Sequence, residues 1–308
     1  MTSQPHISQP QISTDYRADH GRRVPIINGV ERVTANNPSA MTYMGTNTYI
    51  IGEKSVCVID PGPDNPAHFH ALQLALRGRE VSHIIVTHTH RDHSGLALRL
   101  QDLTGAKLVA EGRHRLARPL HPGEAAAFTE SGDRDFTPDL TLGDTERLEG
   151  DGWTLETVLT PGHAANHAAF ALAGTGILFS GDHVMAWAST VIAPPDGSMR
   201  DYMASLDVLL ARDDLAYLPG HGGPVLSPLD HVSRLKGHRL NREETILGRV
   251  QAGDRTIDEM LAAIYHNISP DLYKPAALSI LAHLEDLVAR GAVQCEGPAL
   301  ADSRFHPA

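Results

Sequence analysis

The chain has 308 residues, 41% of them hydrophobic and 20% charged, enough for one sizeable core plus a small appendage and ordinary for a soluble globular protein. Its formal net charge of −11 repels phosphate backbones on average and argues against nucleic acid as the default partner. Two widely separated cysteines, Cys57 and Cys295, exclude a thiolate metal motif. No apolar stretch suits a signal peptide or a bilayer span, so the expected location is the cytoplasm, with no membrane partner.

In chain order, residues 1–22 are polar and read as a flexible tail. Thr46 to Gly52 and Ser55 to Asp60 read as short strands around a turn at Gly52-Glu53-Lys54. Ala67 to Arg77 carries Phe69, Leu72 and Leu76 at helical spacing and stops at Gly78. Ser82 to Thr87 is the β-branched run of a buried strand, Leu96 to Leu103 a helix, and Lys107 to Ala110 a strand. That alternation predicts an α/β layered class. The middle is richer in strands: Trp153 to Thr160, Ala168 to Leu172 and Gly176 to Phe179. A helix over Tyr202 to Leu210 and a strand at Ala216 to Leu218 follow.

From Ser227 the pattern is helical. Ser227 reads as the cap of a helix to about Gly248, and Thr256 with Glu259 as a capping box for Ile257 to Tyr265. Pro275 reads as the first turn of a helix to Arg290, stopped by Gly291, with a short strand at Ala292 to Gln294. The expected organisation is a tail (1–22), a catalytic domain (23–226) and a compact winged-helix-like C-terminal domain (227–308).

The chemistry concentrates after the Ser82 to Thr87 strand, where His88, His90, Asp92 and His93 fall within six residues. Neutral imidazoles and carboxylates are zinc ligands. His88 and His90 alternate, so an extended backbone points them the same way, while Asp92 and His93 lie at the turn into the next helix. One run therefore feeds two neighbouring metals. A core does not bury three histidines and an aspartate without partners. Three further strand-end loops each offer a ligand after a glycine-containing turn: His163, Asp182 and His221. Asp60, before Pro61-Gly62, reads either as the partner of a ligand histidine or as a turn aspartate. His167, four residues after His163, is a candidate proton donor alongside the catalytic candidate Asp92, and equally a structural histidine. His183 is read as structural. His238, Arg239 and Arg242 share one side of the long helix and face either substrate or the domain junction.

With these residues the sequence resembles the metallo-β-lactamase superfamily over residues 36–226. The resemblance implies a four-layer αββα sandwich with metals at one edge of the facing sheets. It implies His88, His90 and His163 around one metal, Asp92, His93 and His221 around the other, and Asp182 bridging them. The cofactors implied are two divalent ions, zinc first, with manganese or iron(II) also accepted by such ligands. An aspartate at position 182 points away from β-lactam hydrolysis as the main activity and towards glyoxalase II-type thioester hydrolases and RNA-cleaving members. His90 stands where redox members tend to carry glutamate, which favours hydrolysis. Asn37-Pro38, Gly45 to Tyr49, His90 to Gly95, His238-Arg239, Arg242-Glu243, His283-Leu284 and Gly291 resemble the β-lactamase-like protein 2 family, whose animal members resemble a single-strand endoribonuclease. The chain departs from that family at Leu96, where a second glycine is typical, and at Glu285-Asp286, where RNA-cleaving members are lysine-rich. Scarce cations weaken contact with phosphates.

The expectation is thus a hydrolase using a hydroxide held between two metals on a small ester, thioester or related acyl compound. The alternative is a metal-dependent endoribonuclease on single-stranded RNA. A nucleic-acid-binding module on an inert scaffold, or a mono-iron sulfur oxidoreductase, would leave much of the ligand set without a purpose.

Overall fold

Two apolar faces along the strands build two stacked sheets. The computed structural model describes residues 13–122, 124, 131–266 and 269–308. The first sheet has seven strands in chain order: β1 (Arg23–Ile27), β2 (Val30–Thr34), β3 (Asn47–Ile51), β4 (Ser55–Ile59), β5 (Glu80–Ile85), β6 (Lys107–Ala110) and β7 (Leu140–Thr141). β3 and β4 are the expected antiparallel hairpin, whereas β4, β5 and β6 run parallel. The second sheet has five strands: β8 (Arg147–Gly150), β9 (Trp153–Leu159), β10 (Ala168–Leu172), β11 (Ile177–Gly181) and β12 (Ala216–Pro219), with β11 and β12 parallel.

The period-2 alternation of a strand divides its side chains between two cores. Tyr49, Ile51, Cys57, Ile59 and Ile85 join Phe170, Leu172, Ile177 and Phe179 in the core between the sheets. Ile50, Val56, Val58 and Ile84 face outward and pack under α1 (Pro66–Ala75) and α3 (Ala97–Thr104). Between these two helices lies the single turn α2 (Arg91–Ser94). On the opposite side, Ala169, Ala171, Leu178 and Tyr217 pack under α4 (Met199–Leu210) and α5 (Pro228–Ala252). The layers are helix, sheet, sheet, helix. Each fully buried large apolar side chain contributes roughly 1.5–3 kcal/mol, so the aliphatic strands carry the fold despite its few aromatics.

The C-terminal unit adds α6 (Ile257–Ile264), α7 (Pro270–Ala289) and the two-stranded ribbon β13 (Val293–Cys295) with β14 (Phe305–Pro307). The Thr256/Glu259 capping box is formed. Helix α5 links this unit to the sandwich, and Ala282 of α7 joins the core under α4. Among the described residues, no helix is long and apolar enough to cross a membrane.

Four expectations are corrected. Residues 13–22, expected as tail, are anchored at two points although most remain exposed: Ala18 is buried, and the Tyr16 hydroxyl donates to Asn47 Oδ1 at 2.6 Å. The remainder of the expected tail, residues 1–12, lies outside the described residues. Ser227 makes no side-chain cap bond, and α5 runs on to Ala252 before Gly253 turns it at φ 115°. Helix α7 begins at Pro270, not Pro275. Pro270 occupies the first turn, where a missing N–H is harmless, and Pro275 sits inside the helix. Finally, β1, β2, β7, β8 and β14 were not legible as strands: they are short, and β1 and β8 are largely exposed.

Candidate metal centre

Every candidate ligand sits just beyond the C-terminal end of a strand or in the turn that follows it. β5 leads into Thr87 to Asp92 and the turn α2, β9 into His163, β11 into Asp182 and β12 into His221. Two glycines make the close approaches. A Cβ on Gly162 would lie 2.4 Å from the Tyr202 backbone, and one on Gly181 would lie 2.5 Å from His167 Nε2. The His221 loop is clamped by Asn47, whose Nδ2 donates to Pro219 O at 3.0 Å and Gly222 O at 2.9 Å, and by the Tyr49 hydroxyl, which donates to Pro219 O at 2.9 Å. Tyr16 holds the other side of Asn47, so this N-terminal residue supports the loop that carries His221.

The hydrogen bonds fix the histidine tautomers. The Thr87 hydroxyl donates to Asp60 Oδ2 at 2.8 Å, so at 3.1 Å it accepts from His88 Nδ1–H. His90 Nε2–H donates to Asp196 Oδ2 at 2.7 Å, and His163 Nδ1–H donates to Val191 O at 2.8 Å. The free lone pairs are then His88 Nε2, His90 Nδ1 and His163 Nε2, which face one another at 2.9 and 3.1 Å. Three converging lone pairs repel unless a cation lies among them.

The second group repeats this logic. His93 Nδ1–H donates to Asp60 Oδ2 at 2.8 Å, and His221 Nδ1–H points to Gly45 O at 3.3 Å. His93 Nε2 then faces Asp182 Oδ1 at 3.4 Å and Asp92 Oδ2 at 3.5 Å. His221 Nε2 faces Asp92 Oδ2 and Asp182 Oδ2, each at 3.2 Å. His93 Nε2 and Asp182 Oδ1 are buried with no hydrogen-bond partner among the described residues. The donor atoms fall into groups no wider than 4.8 Å, and Asp182 also reaches to 3.8 Å from His163 Nε2, between the two clusters. The residues fit divalent metal ions: hard oxygens, borderline imidazoles, and buried polar atoms left without protein partners.

In the metal-free protein charge is unevenly shared within the first cluster: burial opposes charge on His90, but Asp196 and then Asp92 outweigh it and raise His90 above its ordinary value. Burial, then the rings of His93 and His90, holds His88 well below the ordinary histidine range. Burial, then His90, brings His163 down to about 4. Burial also opposes charge on His93 and His221, but Asp182 and Asp92 outweigh it, raising His93 well above its ordinary value and His221 to about 9. Burial opposes charge on Asp182 too, and His221 and His93 outweigh it, holding that carboxyl well below its usual range.

Above these residues opens a cavity of about 750 Å³, reached by His90, Asp92, His163, Asp182 and His221. Asp92 is the most open of the ligand carboxylates, at 29% side-chain exposure against 8% for Asp182. His167 does not line it. Its Nε2 accepts from Asp182 N–H at 3.1 Å, and its Nδ1 bonds the Thr160 hydroxyl at 2.8 Å. His183 is buried against Tyr202, ring centroids 4.5 Å apart.

A family model described as the metallo-beta-lactamase superfamily matches residues 41–221, and one described as the beta-lactamase associated winged helix domain matches residues 256–299. The chain belongs to the metallo-beta-lactamase superfamily. Within it, the chain is 28% identical to a beta-lactamase-like protein 2 homolog of Drosophila melanogaster, over 91% of this chain and 94% of that protein. It is 30% identical to thioesterase pkgB of Emericella nidulans, over 70% of this chain and 57% of that protein. A solved metallo-beta-lactamase family protein from Thermus thermophilus superposes with a TM-score of 0.75 at 26% identity, covering 92% of this chain and all of that one.

The metallo-beta-lactamase arrangement thus brings together all seven sequence-predicted ligands, and Asp60 sits behind them as the partner of His93. Asp196 was not foreseen. It follows Pro194-Pro195 in a loop far along the chain from His90, with no strand end or histidine beside it to announce the contact.

Proposed function

We propose that the chain is a hydrolase with two metal ions, zinc in the first instance, acting on small esters, thioesters or related acyl compounds. The observation that carries this reading is the pair of converging histidine and aspartate clusters with Asp182 between them. When bound, the metals supply a hydroxide nucleophile at neutral pH and an electrophile for the substrate carbonyl oxygen.

The chain's own residues do the positioning. His88, His90 and His163 hold one site, Asp92, His93 and His221 the other, and Asp182 joins them. Asp92, open to the cavity, accepts a hydrogen bond from the attacking nucleophile and orients it. His167 acts on the reaction only through Asp182, whose backbone it holds; both its nitrogens are engaged, so it is a positioning residue rather than a proton donor. Met41, Met185, Trp187 and Val191 line the cavity and suit an acyl chain. The similarity to thioesterase pkgB supports a thioester within this class. Cleavage of RNA has weaker support, since Arg118, Arg200 and Arg290 around α7 are taken up by Glu285 and Asp286. The free thiols of Cys57 and Cys295 accord with a cytoplasmic setting.

The test is hydrolysis of short acyl thioesters by zinc-loaded protein, followed by thiol release, with labelled single-stranded RNA in parallel. The expected result is thioester turnover on the order of 1–10³ s⁻¹ that chelation abolishes and zinc restores. Intact thioesters alongside cleaved RNA would overturn the acyl reading.

Zinc binding must also displace protons. His221, raised to about 9, is protonated at pH 7.5, and a ligand must be neutral. Calorimetric titrations in buffers of different ionisation enthalpy are expected to show net proton release, with zinc affinity falling as pH falls. Conversely, the charged His221 stabilises the metal-free fold below its unfolded value of about 6.5. That contribution is lost as pH rises through about 9, so stabilisation by zinc grows over the same window. Unchanged affinity between pH 6 and 8 would contradict this assignment.

A further inference from the structure

The cavity has a second chemical wall. On its helical side lie His238, Arg239 and Arg242 of α5, Tyr265 after α6, and Ser279 of α7. The carboxylates that line the cavity, Asp92, Asp182 and Asp196, all belong to the sandwich and face its histidines. None lines the helical wall among the described residues.

Among the described residues, its arginines have no carboxylate partners. Nearby acids are engaged elsewhere: Glu243 with Arg290 at 2.6 Å, Asp286 with Arg200 at 3.0 Å, and Glu285 with Arg118. Among the described residues, neither Arg239 nor Arg242 has a carboxylate oxygen within 4.0 Å. Arg239 is 4% exposed, donates to Thr190 O and leaves its Nε without a partner. The half-buried Arg242 lies with its guanidinium carbon 4.3 Å from the centre of the Tyr265 ring. His238 Nδ1 and both ring nitrogens of the buried His283 are also unpartnered. Desolvated cations and donors without acceptors are costly unless an anion completes them, and a guanidinium fork matches a carboxylate or phosphate edge.

We propose that this wall is an oxyanion subsite: Arg242, aided by His238, holds a carboxylate or phosphate on the substrate, remote from the bond that is cleaved. Arg239 braces the subsite through Thr190, next to Val191, the acceptor for His163. The substrate is then an acyl compound whose reacting carbonyl lies at the metal centre, whose apolar segment crosses the cavity, and whose second end is anionic. This rests on the acyl-hydrolase reading for the substrate class.

The test separates binding from turnover by using non-hydrolysable thioether analogues. Three are titrated calorimetrically into zinc-loaded protein: one neutral, one with a terminal carboxylate on the acyl side, and one with a phosphate on the thiol side. Wild type is expected to bind one anionic analogue about ten- to a hundredfold more tightly than the neutral one, and the favoured arm names the source of the anion. Arg242→Gln is expected to bring that ratio close to one, while Arg242→Lys keeps part of it. Ser279→Glu, which leaves Arg242 itself unchanged, is expected to abolish the preference by placing a carboxylate in the wall. Equal binding of neutral and anionic analogues by wild type, or an anionic preference unchanged in Arg242→Gln and Ser279→Glu, would overturn the subsite. Failure of thioester hydrolysis with the anionic preference intact would sink the acyl-hydrolase reading and leave the subsite standing.

Discussion

Asp182→Asn is expected to lower kcat/KM for thioesters by on the order of 10³-fold and to reduce bound zinc below one equivalent. Disturbing the support of a metal ligand typically costs about 10–100-fold in affinity or activity, and Asp182 stands in both clusters, so its loss acts twice. The replacement is nearly isosteric and removes a buried charge, so the fold is expected to persist. Its amide can donate to the lone pair of His221 or His93, satisfying without metal what the wild type satisfies with it. The variant should therefore also release fewer protons on adding zinc, because the carboxylate that raises both histidines is gone. Metal content by mass spectrometry and steady-state kinetics decide it: two equivalents and full activity in the variant would remove Asp182 from the centre.

The candidate ligands were legible as a group because they obey local rules. A β-branched run leads into His88 and His90, and at or just beyond the ends of three other strands a glycine precedes His163, Asp182 or His221, so a strand-end site can be written from the sequence before the strands are placed. The supporting contacts obey no local rule. Asp196 meets His90 across 106 positions, Tyr16 meets Asn47 across 31, and neither pairing leaves a periodic trace. Pro275 misled for a related reason: proline is favoured in a first helical turn, but Pro270 already occupies that place, and α7 accommodates a second proline one turn later. The helical wall shows the same limit. His238, Arg239 and Arg242 share a helix face, but whether that face meets solvent, a carboxylate or a cavity depends on where α7 packs, and α7 is placed by long-range contacts, apolar ones such as Ala282 and ion pairs such as Asp286 with Arg200.

The support of the centre funnels through Asp60. This carboxylate is 2% exposed and sits on a left-handed backbone, φ 52°, at the end of β4. It accepts from Thr87 N, the Thr87 hydroxyl and His93 Nδ1, each at 2.8 Å. Because the hydroxyl proton of Thr87 goes to Asp60, only its lone pairs face His88. One carboxylate therefore sets two tautomers, His93 directly and His88 by relay.

Asp60→Asn keeps the size and removes the logic. Whichever way the amide is turned, an NH₂ donor meets another donor, either Thr87 N–H or His93 Nδ1–H. Turned to His93, it drives that proton onto Nε2, the atom that must carry a lone pair. The Thr87 hydroxyl, its acceptor lost, turns its proton towards His88 Nδ1 and moves the His88 proton onto Nε2 as well. Two ligands then present N–H where metal should bind, and at about 10–100-fold for each zinc affinity is expected to fall about 10²–10⁴-fold. Thr87→Val removes only the relay to His88 and is expected to cost about 10–100-fold. Competition against a chromophoric chelator measures both affinities, and nitrogen chemical shifts of the metal-free protein, taken at a pH high enough to leave His93 neutral, read the tautomers. Equal losses in the two variants would mean that Asp60 serves the Thr87 turn alone; a larger loss in Asp60→Asn, with both histidines protonated on Nε2, would establish that one buried carboxylate prepares both metal sites.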